Sequence, residues 1–142
     1  MKLIQHLLDA KGTEIISVAR DASVFDAIKL MADRAVGSLL VMDGSELIGI
    51  VTERDYARKV ILKGRSSETT EVGEIMTVEV VTAETGQTVN ECMSLMTERR
   101  IRHLPVVAGG AVIGIISIGD LVNAIISDQK EEIEQLEQYI SG

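Results

Sequence analysis

The 142-residue chain is rich in aliphatic side chains and poor in aromatic ones: 46% of its residues are hydrophobic, yet two are Tyr, one is Phe and none is Trp. One Cys and two His provide neither an internal disulfide nor a recognisable set of zinc ligands. The net charge of −8 argues against binding that neutralises many nucleic-acid phosphates, and half of that charge lies in residues 128–142.

An internal repeat organises the chain. A shift of 65 residues aligns residues 15–62 with residues 80–127 without a gap, and the identical positions are mostly apolar or Gly. Solenoids need three or more short repeats, whereas two long copies indicate two units that pack across a pseudo-two-fold axis.

Each copy begins with a short apolar stretch, at residues 15–18 and again at residues 80–81, which predicts a strand. Ser23 and Thr88 follow at matching positions, and each has an acidic residue three positions later, as in a helix capping box. Apolar residues then recur every three to four positions, which predicts an amphipathic helix in each copy.

The second part of each copy predicts a hairpin and another helix. Two apolar runs are separated by Asp43-Gly44 in the first copy and by Gly109-Gly110 in the second, and both pairs suit a turn with positive φ. A closing helix is predicted from Glu53 and from Ile118. The order in each copy is therefore strand, helix, strand, strand, helix.

The remaining segments connect or extend the copies. A stretch rich in Ser, Thr, Gly and Glu between them is typical of a linker. Apolar residues in the acidic tail repeat at helical spacing, which favours a helix that binds a partner helix. We predict four segments: 1–64 with the N-terminal helix and first copy, 65–73 as linker, 74–127 as second copy, and 128–142 as helical tail.

One polar pattern ends the last strand of both copies: Gly-Ile-Val-Thr-Glu-Arg-Asp at residues 49–55 and Gly-Ile-Ile-Ser-Ile-Gly-Asp at residues 114–120. Thr or Ser three residues before Asp is a capping box, which is a purely structural interpretation. The functional interpretation is that a helix N-terminus attracts anions and that the Asp accepts hydrogen bonds from two ribose hydroxyls. The pattern alone leaves both open.

The tandem pattern, the 65-residue repeat and the Arg-His-Leu-Pro-Val sequence at residues 102–106 resemble a CBS domain pair, or Bateman module, over nearly the whole chain. In size the chain resembles the small stand-alone bacterial members. The resemblance implies an α/β (α+β) fold and a non-catalytic sensor. It also implies two ligand sites in a cleft, each combining residues of both copies, with AMP, ADP, ATP or NAD(H) as regulatory ligand and no catalytic cofactor.

The resemblance also assigns site residues. In the first site, Asp120 binds the ribose, Ser117 binds ribose or phosphate, and the base lies against Ile16, Val36 and Ser38 with help from Thr13. In the second site the residues are Asp55, Thr52, Val81, Ile101, His103 and Thr77, with Arg54 and Arg102 as phosphate partners. Because the second site is more basic, we expect tighter phosphate binding on the Asp55 side.

Two other functions compete with the sensor. In a dimeric adaptor with vestigial pockets, the same motifs would serve only as helix caps. A NAD-dependent catalyst is disfavoured, because the sequence supplies neither an activated nucleophile nor a poised acid and base. Cys92 is interpreted as a small core residue. We expect a cytoplasmic homodimer that binds neither nucleic acid nor membrane, since no apolar run reaches membrane-spanning length.

Overall fold

The computed structural model describes residues 2–141 and divides the chain into two compact units. The first-repeat unit is Ile15–Val81, and the second-repeat unit joins Met1–Glu14 to Thr82–Gly142. In chain order the elements are α1 (Ile4–Lys11), β1 (Ser17–Val18), α2 (Val24–Arg34), β2 (Ser38–Asp43), β3 (Glu46–Thr52), α3 (Glu53–Tyr56), a π-helical turn (Ala57–Ile61), α4 (Val72–Ile75), β4 (Ala83–Glu84), α5 (Val89–Arg99), β5 (His103–Ala108), β6 (Ala111–Ser117) and α6 (Ile118–Ser141).

Each unit contains a three-stranded sheet of the same topology. A short strand runs parallel to the first hairpin strand, which pairs antiparallel with the second, in the orders β1-β2-β3 and β4-β5-β6. The register also agrees at the 65-residue offset, since Ser38 pairs with Thr52 and His103 pairs with Ser117. The predicted repeat and the mixed α/β fold are therefore confirmed.

The two hairpins turn at equivalent positions of the repeat, 65 residues apart. In the second, Gly109 and Gly110 form the loop with φ of 58° and 80°, as predicted. In the first, Asp43 still pairs with Glu46, so the loop is Gly44-Ser45 and positive φ falls on Gly44 alone, at 61°. The predicted Asp43-Gly44 turn is thus displaced by one residue, because Asp43 remains in the ladder.

The strand predicted at residues 80–81 is wrong, since the structure places it at Ala83–Glu84. Residues up to Val81 belong to the first-repeat unit, so the chain must enter the second-repeat unit before it can pair with β5. The closing helix of the first copy also differs from a simple α-helix. Its second half is π-helical, and the Leu62 N–H donates to Ala57 O at 3.0 Å.

The N-terminal helix α1 packs with the second copy, although the predicted segment 1–64 grouped it with the first. Ile4 N–H donates to Gln87 O at 2.9 Å, and Leu8 lies so close to Gly114 that an added Cβ would be 2.8 Å from Leu8 Cδ2. A side chain at position 114 would therefore push α1 away. This contact gives a packing reason for the glycine in the second copy of the motif.

The segment after the first copy packs on the first copy in the same way. Val72 N–H donates to Ala22 O at 2.8 Å, and Thr77 and Ile50 exchange backbone hydrogen bonds of 2.9 and 3.0 Å. An added Cβ at Gly49 would lie 3.1 Å from Thr77 O. Residues 74–81 were predicted to belong to the second copy, but they complete the first-repeat unit.

Aliphatic side chains form the interior of both units, and the capped helices enclose them. In the first-repeat unit the buried cluster is Val24, Ala27, Met31, Leu39, Val41, Val51, Val60, Val72 and Ile75. Ala27 and its equivalent in the second copy, Cys92, are both fully buried, which confirms Cys92 as a small core residue. The helix caps at Ser23 and Thr88 are also confirmed, since each hydroxyl accepts the backbone N–H three residues later.

Both long helices of the repeats, α2 and α5, end on a left-handed residue that is not glycine: Ala35 with φ of 55° and Arg100 with φ of 56°. We expect Ala35→Gly to raise the free energy of unfolding by about 1 kcal/mol, because glycine adopts this conformation without a Cβ clash. Ala32→Gly, on the exposed face inside α2, should instead lower it by about 0.5–1 kcal/mol. Urea unfolding measures both, and changes of the same sign would contradict the assignment.

Candidate functional site

The junction between the last strand and the closing helix has the same geometry in both units. Thr52 Oγ1 accepts the Asp55 N–H at 3.2 Å, and Asp55 Oδ2 accepts the Thr52 N–H at 3.0 Å. At the other junction the Asp120 N–H donates to Ser117 Oγ at 3.2 Å, and the Ser117 N–H donates to Asp120 Oδ2 at 2.8 Å. The structural interpretation of the motif is therefore correct in both copies: each is a reciprocal capping box.

A lysine lies on the Asp55 carboxylate. Lys59, one helical turn later, places Nζ 3.0 Å from Asp55 Oδ1 and donates a 2.8 Å hydrogen bond to Ile75 O. Asp55 is only 7% exposed, so the cation and the cap together compensate the burial of its charge. Both carboxylate oxygens are engaged, because Thr52 occupies Oδ2.

A second lysine lies on the Asp120 carboxylate, but it comes from a different element. Lys11, the last residue of α1, places Nζ 2.6 Å from Asp120 Oδ2 and 2.8 Å from Ile115 O. The cap from Ser117 reaches the same Oδ2 atom. Oδ1 accepts no hydrogen bond within the described part of this unit, and the Asp120 side chain is 27% exposed. One carboxylate oxygen therefore remains for a further donor.

Neither lysine was among the residues predicted from the sequence. Lys59 could have been found, since a cation four residues after Asp55 lies on the same side of a helix. Nothing in the sequence around Lys11 indicates that it contacts Asp120. It is 109 residues away from Asp120, in a helix that sequence order assigned to the other copy.

Around Asp120, charge and burial shift two pKa values. Burial raises the pKa of the Asp120 carboxyl, but hydrogen bonds from Lys11 and Ser117 lower it more, so it lies below its usual value. Burial lowers the pKa of His103, the charges of Lys11 and Arg102 lower it further, and Asp120 partly offsets them. The carboxylate is therefore charged and the imidazole neutral at pH 7.

The predicted site residues fall into two groups. The first-repeat unit contains Asp55, Thr52, Arg54, Ile16, Val36, Ser38, Thr77 and Val81, and the second-repeat unit contains Asp120, Ser117, Thr13, Ile101, Arg102 and His103. Within each unit the sheets bring together residues that were predicted for different sites, since buried Ser38 pairs with Thr52 and His103 pairs with Ser117. Each predicted site draws on both units, so its composition stays a prediction.

Metal-ligand clusters and membrane-spanning helices are absent from residues 2–141, and the one thiol is buried. In that range no three His, Cys, Asp or Glu side chains are grouped so as to hold a metal ion. None of the described helices has both the length and the apolar character to cross a membrane. Burial, together with the charge of Glu91, raises the pKa of Cys92 to about 11, so its thiol is a weak nucleophile at neutral pH.

The chain belongs to the CBS domain family, whose profile matches residues 10–62 and again residues 72–127. The two matches establish a tandem pair. A profile match to both copies agrees with the two sheets of equal register and with the paired capping boxes.

Three known proteins illustrate the similarity. The mitochondrial CBS domain-containing protein CBSX3 of Arabidopsis thaliana is 46% identical over 127 residues, which cover 86% of this chain but only 62% of that protein. The structure of a protein with CBS domains from Burkholderia ambifaria is 54% identical with a TM-score of 0.88, over 90% of this chain and 96% of that one. The CBS domain pair of protein MJ0100, in complex with 5′-methylthioadenosine and S-adenosyl-L-methionine, is 25% identical with a TM-score of 0.80, over 90% and 98%.

The electrostatic coupling of Lys11 to His103 gives a pH-dependent prediction. Lys11→Met should raise the pKa of His103 toward its usual value of about 6.5 without reaching it, because burial, the larger cause, persists. An NMR titration of the His103 ring, assigned with a His6→Gln variant, measures the shift. The matched control Lys29→Met, on an exposed face of α2, should leave it unchanged.

The same lowered pKa fixes the sign of the stability change. Folding favours the neutral His103 ring, so its contribution is complete above the unfolded-state pKa and is lost as pH falls through the lower folded-state pKa. An equal His103 pKa in Lys11→Met and wild type would show that Lys11 does not act on this ring.

Proposed function

We propose that the protein is a non-catalytic regulatory module that binds adenosyl ligands at its two strand-to-helix junctions. The observation that carries the proposal is the pair of equivalent carboxylates, Asp55 and Asp120, each fixed by a reciprocal cap and held beside a lysine. A carboxylate that is kept charged accepts hydrogen bonds from the two vicinal hydroxyls of a ribose.

The charge around the junctions leaves room for an anionic ligand. Lys11 and Lys59 each offset the charge of their Asp, and the start of the closing helix adds the positive end of the helix dipole. The ligands in the MJ0100 structure share the adenosyl portion and differ beyond the ribose. We therefore propose AMP, ADP, ATP or NAD(H) as the regulatory ligand.

The base would be held by aliphatic and small side chains, since the chain contains almost no aromatic residues for stacking. The proposed contacts combine the two groups of residues described above. Asp120 and Ser117 serve one ligand with Ile16, Val36, Ser38 and Thr13, and Asp55 and Thr52 serve the other with Arg54, Thr77, Val81, Ile101, Arg102 and His103.

A ligand would have to break different existing contacts at the two Asp residues. At Asp120 a ribose hydroxyl can donate to Oδ1 while Lys11 stays on Oδ2. At Asp55 the hydroxyls compete with Lys59, which also holds Ile75 O at the end of α4. Binding there would loosen or redirect the contact between the closing helix and α4, which is a route for a regulatory signal.

The proposed module acts as a homodimer in the cytoplasm. Apolar side chains on the closing π-helical turn and its end, Ile61 and Leu62, are exposed and would be covered by a second copy. The buried free thiol of Cys92 suits a reducing compartment. The relative CBSX3 is named as mitochondrial, so localisation is to be tested by fractionation.

A dimeric adaptor with vestigial pockets is the second candidate. It is favoured by the completeness of the capping boxes, because Thr52 with Asp55 and Ser117 with Asp120 already stabilise their helices without a ligand. In that case the motif residues matter for stability only. Ligand titration separates the two functions.

A thermal-shift panel of AMP, ADP, ATP, NAD⁺, NADH and S-adenosylmethionine tests the sensor. A ligand at 100 times its Kd should stabilise the wild-type protein by about 2.7 kcal/mol, a shift of several degrees. Asp55→Asn and Asp120→Asn keep an acceptor for the cap but lose the charge, so each should weaken one site at least tenfold.

The matched control is Glu91→Gln in the capping box that Thr88 and Glu91 form at the start of α5, away from the motif. Its response to ligand should equal that of the wild type. Stabilisation by none of the six compounds would leave the adaptor as the function, and equal losses in all three variants would show that the caps act through stability alone.

The two sites should also differ in phosphate affinity. Arg54 and Arg102 are the phosphate partners proposed for the Asp55 site, which also includes the neutral His103. Asp55→Asn disables that site, so the Asp120 site that remains should prefer AMP over adenosine less than the site that remains in Asp120→Asn. Calorimetric titration of both variants with AMP and with adenosine measures the ratio. Equal AMP-to-adenosine affinity ratios in the two variants, or a higher ratio in Asp55→Asn, would contradict the predicted order.

A further inference from the structure

The C-terminal half of α6 has no packing of its own. The helix runs from Ile118 to Ser141, but its buried residues are Leu121 and Ala124, and all residues from 129 to 141 are exposed. An isolated helix of that length is marginal in water, where helices shorter than about 12–15 residues rarely persist. The packed first half of α6 nucleates this segment, and a partner along the exposed half would stabilise it further.

An apolar stripe runs along this exposed half. Ile126, Ile133, Leu136 and Ile140 are 46%, 55%, 61% and 82% exposed, and they follow one another at intervals of seven, three and four residues. These are the a and d positions of a heptad repeat, which form the seam between two helices. The stripe therefore fits a single helix laid along it.

The charges beside the stripe distinguish possible partners. Lys130 and Glu137 lie along one edge, at e positions, and Glu132 and Tyr139 lie along the other, at g positions. A parallel second copy would place Glu132 against the partner's Glu137, which repels. An antiparallel second copy places Lys130 against the partner's Glu137 twice, and sets Glu132 beside the partner's Tyr139.

The apolar layers of the antiparallel arrangement also match. When Lys130 is level with the partner's Glu137, Ile133 lies against the partner's Leu136, and Leu136 lies against the partner's Ile133. These two layers form the centre of the seam, and Ile140 lies against the partner's Gln129. A parallel pair would stack all four apolar residues but would set Glu132 against the partner's Glu137 twice, so the charges decide for the antiparallel alignment.

We propose that residues 128–141 pair with the same segment of a second copy as an antiparallel two-helix seam, centred on Ile133 and Leu136. The proposal goes beyond ligand sensing, since it assigns an association surface that lies outside the junctions at Asp55 and Asp120. It holds whether or not a nucleotide binds. A second copy is the occupant because its Lys130 and Glu137 complement those of the first.

Cross-linking of two full-length variants tests the alignment. Lys130→Cys and Glu137→Cys are prepared separately, and buried Cys92 does not compete for the reagent. With a short bifunctional maleimide, the mixture should give a covalent dimer of unlike chains, and neither variant alone should do so. A covalent dimer from either variant alone, or no covalent dimer from the mixture, would overturn the antiparallel seam. A cross-link to a different protein, with the two variants left unlinked to each other, would overturn it as well.

Charge reversal gives an independent test by sedimentation of the full chain. Glu137→Lys places a lysine against the partner's Lys130, so association should weaken about threefold to tenfold, and the double variant K130E/E137K should restore it. In a parallel pair the same Glu137→Lys would strengthen association by facing Glu132. The matched control Glu131→Lys makes the same charge change on the far side of the helix and should have little effect.

Discussion

One aspartate carboxylate in each repeat connects three parts of its unit. Asp55 and Asp120 receive a backbone N–H from the end of a strand, lie in the first turn of the closing helix, and contact a lysine that also holds a carbonyl elsewhere. Removing the carboxylate would therefore free a helix start and a lysine at once. Each of the two carboxylates and each of the two lysines has two partners, which restrains the junction.

The two copies use this arrangement with different connections. Lys59 belongs to the same closing helix as its Asp and reaches the end of α4, whereas Lys11 comes from α1 and reaches the neighbouring strand at Ile115. Both copies thus keep the carboxylate, but its lysine comes from a different element in each. The two Asp positions are therefore similar but not equivalent. Under the proposed function, the two positions would bind one ligand with different affinities and would respond at two concentration ranges.

Much of the fold could be predicted because it depends on local patterns. The 65-residue repeat, the hairpins and the caps at Ser23 and Thr88 follow from periodicity and turn chemistry within a few residues. What could not be predicted depends on distant packing: the displaced strand β4, the position of α1 and the contact of Lys11 with Asp120. The motif residues were found by sequence, but the cations beside them were not.

The segment before each copy packs with the other copy: α1 with the second-repeat unit, and residues 72–81 with the first-repeat unit. This arrangement affects the order in which the chain can fold during synthesis. Residues 15–81 form a contiguous unit, so this unit can fold while the second copy is still being synthesised. The first helix, α1, must wait with its apolar residues Ile4 and Leu8 exposed until Gln87 and Gly114 have emerged. Synthesis order therefore leaves α1 without its native contacts for longer than the elements of the first-repeat unit.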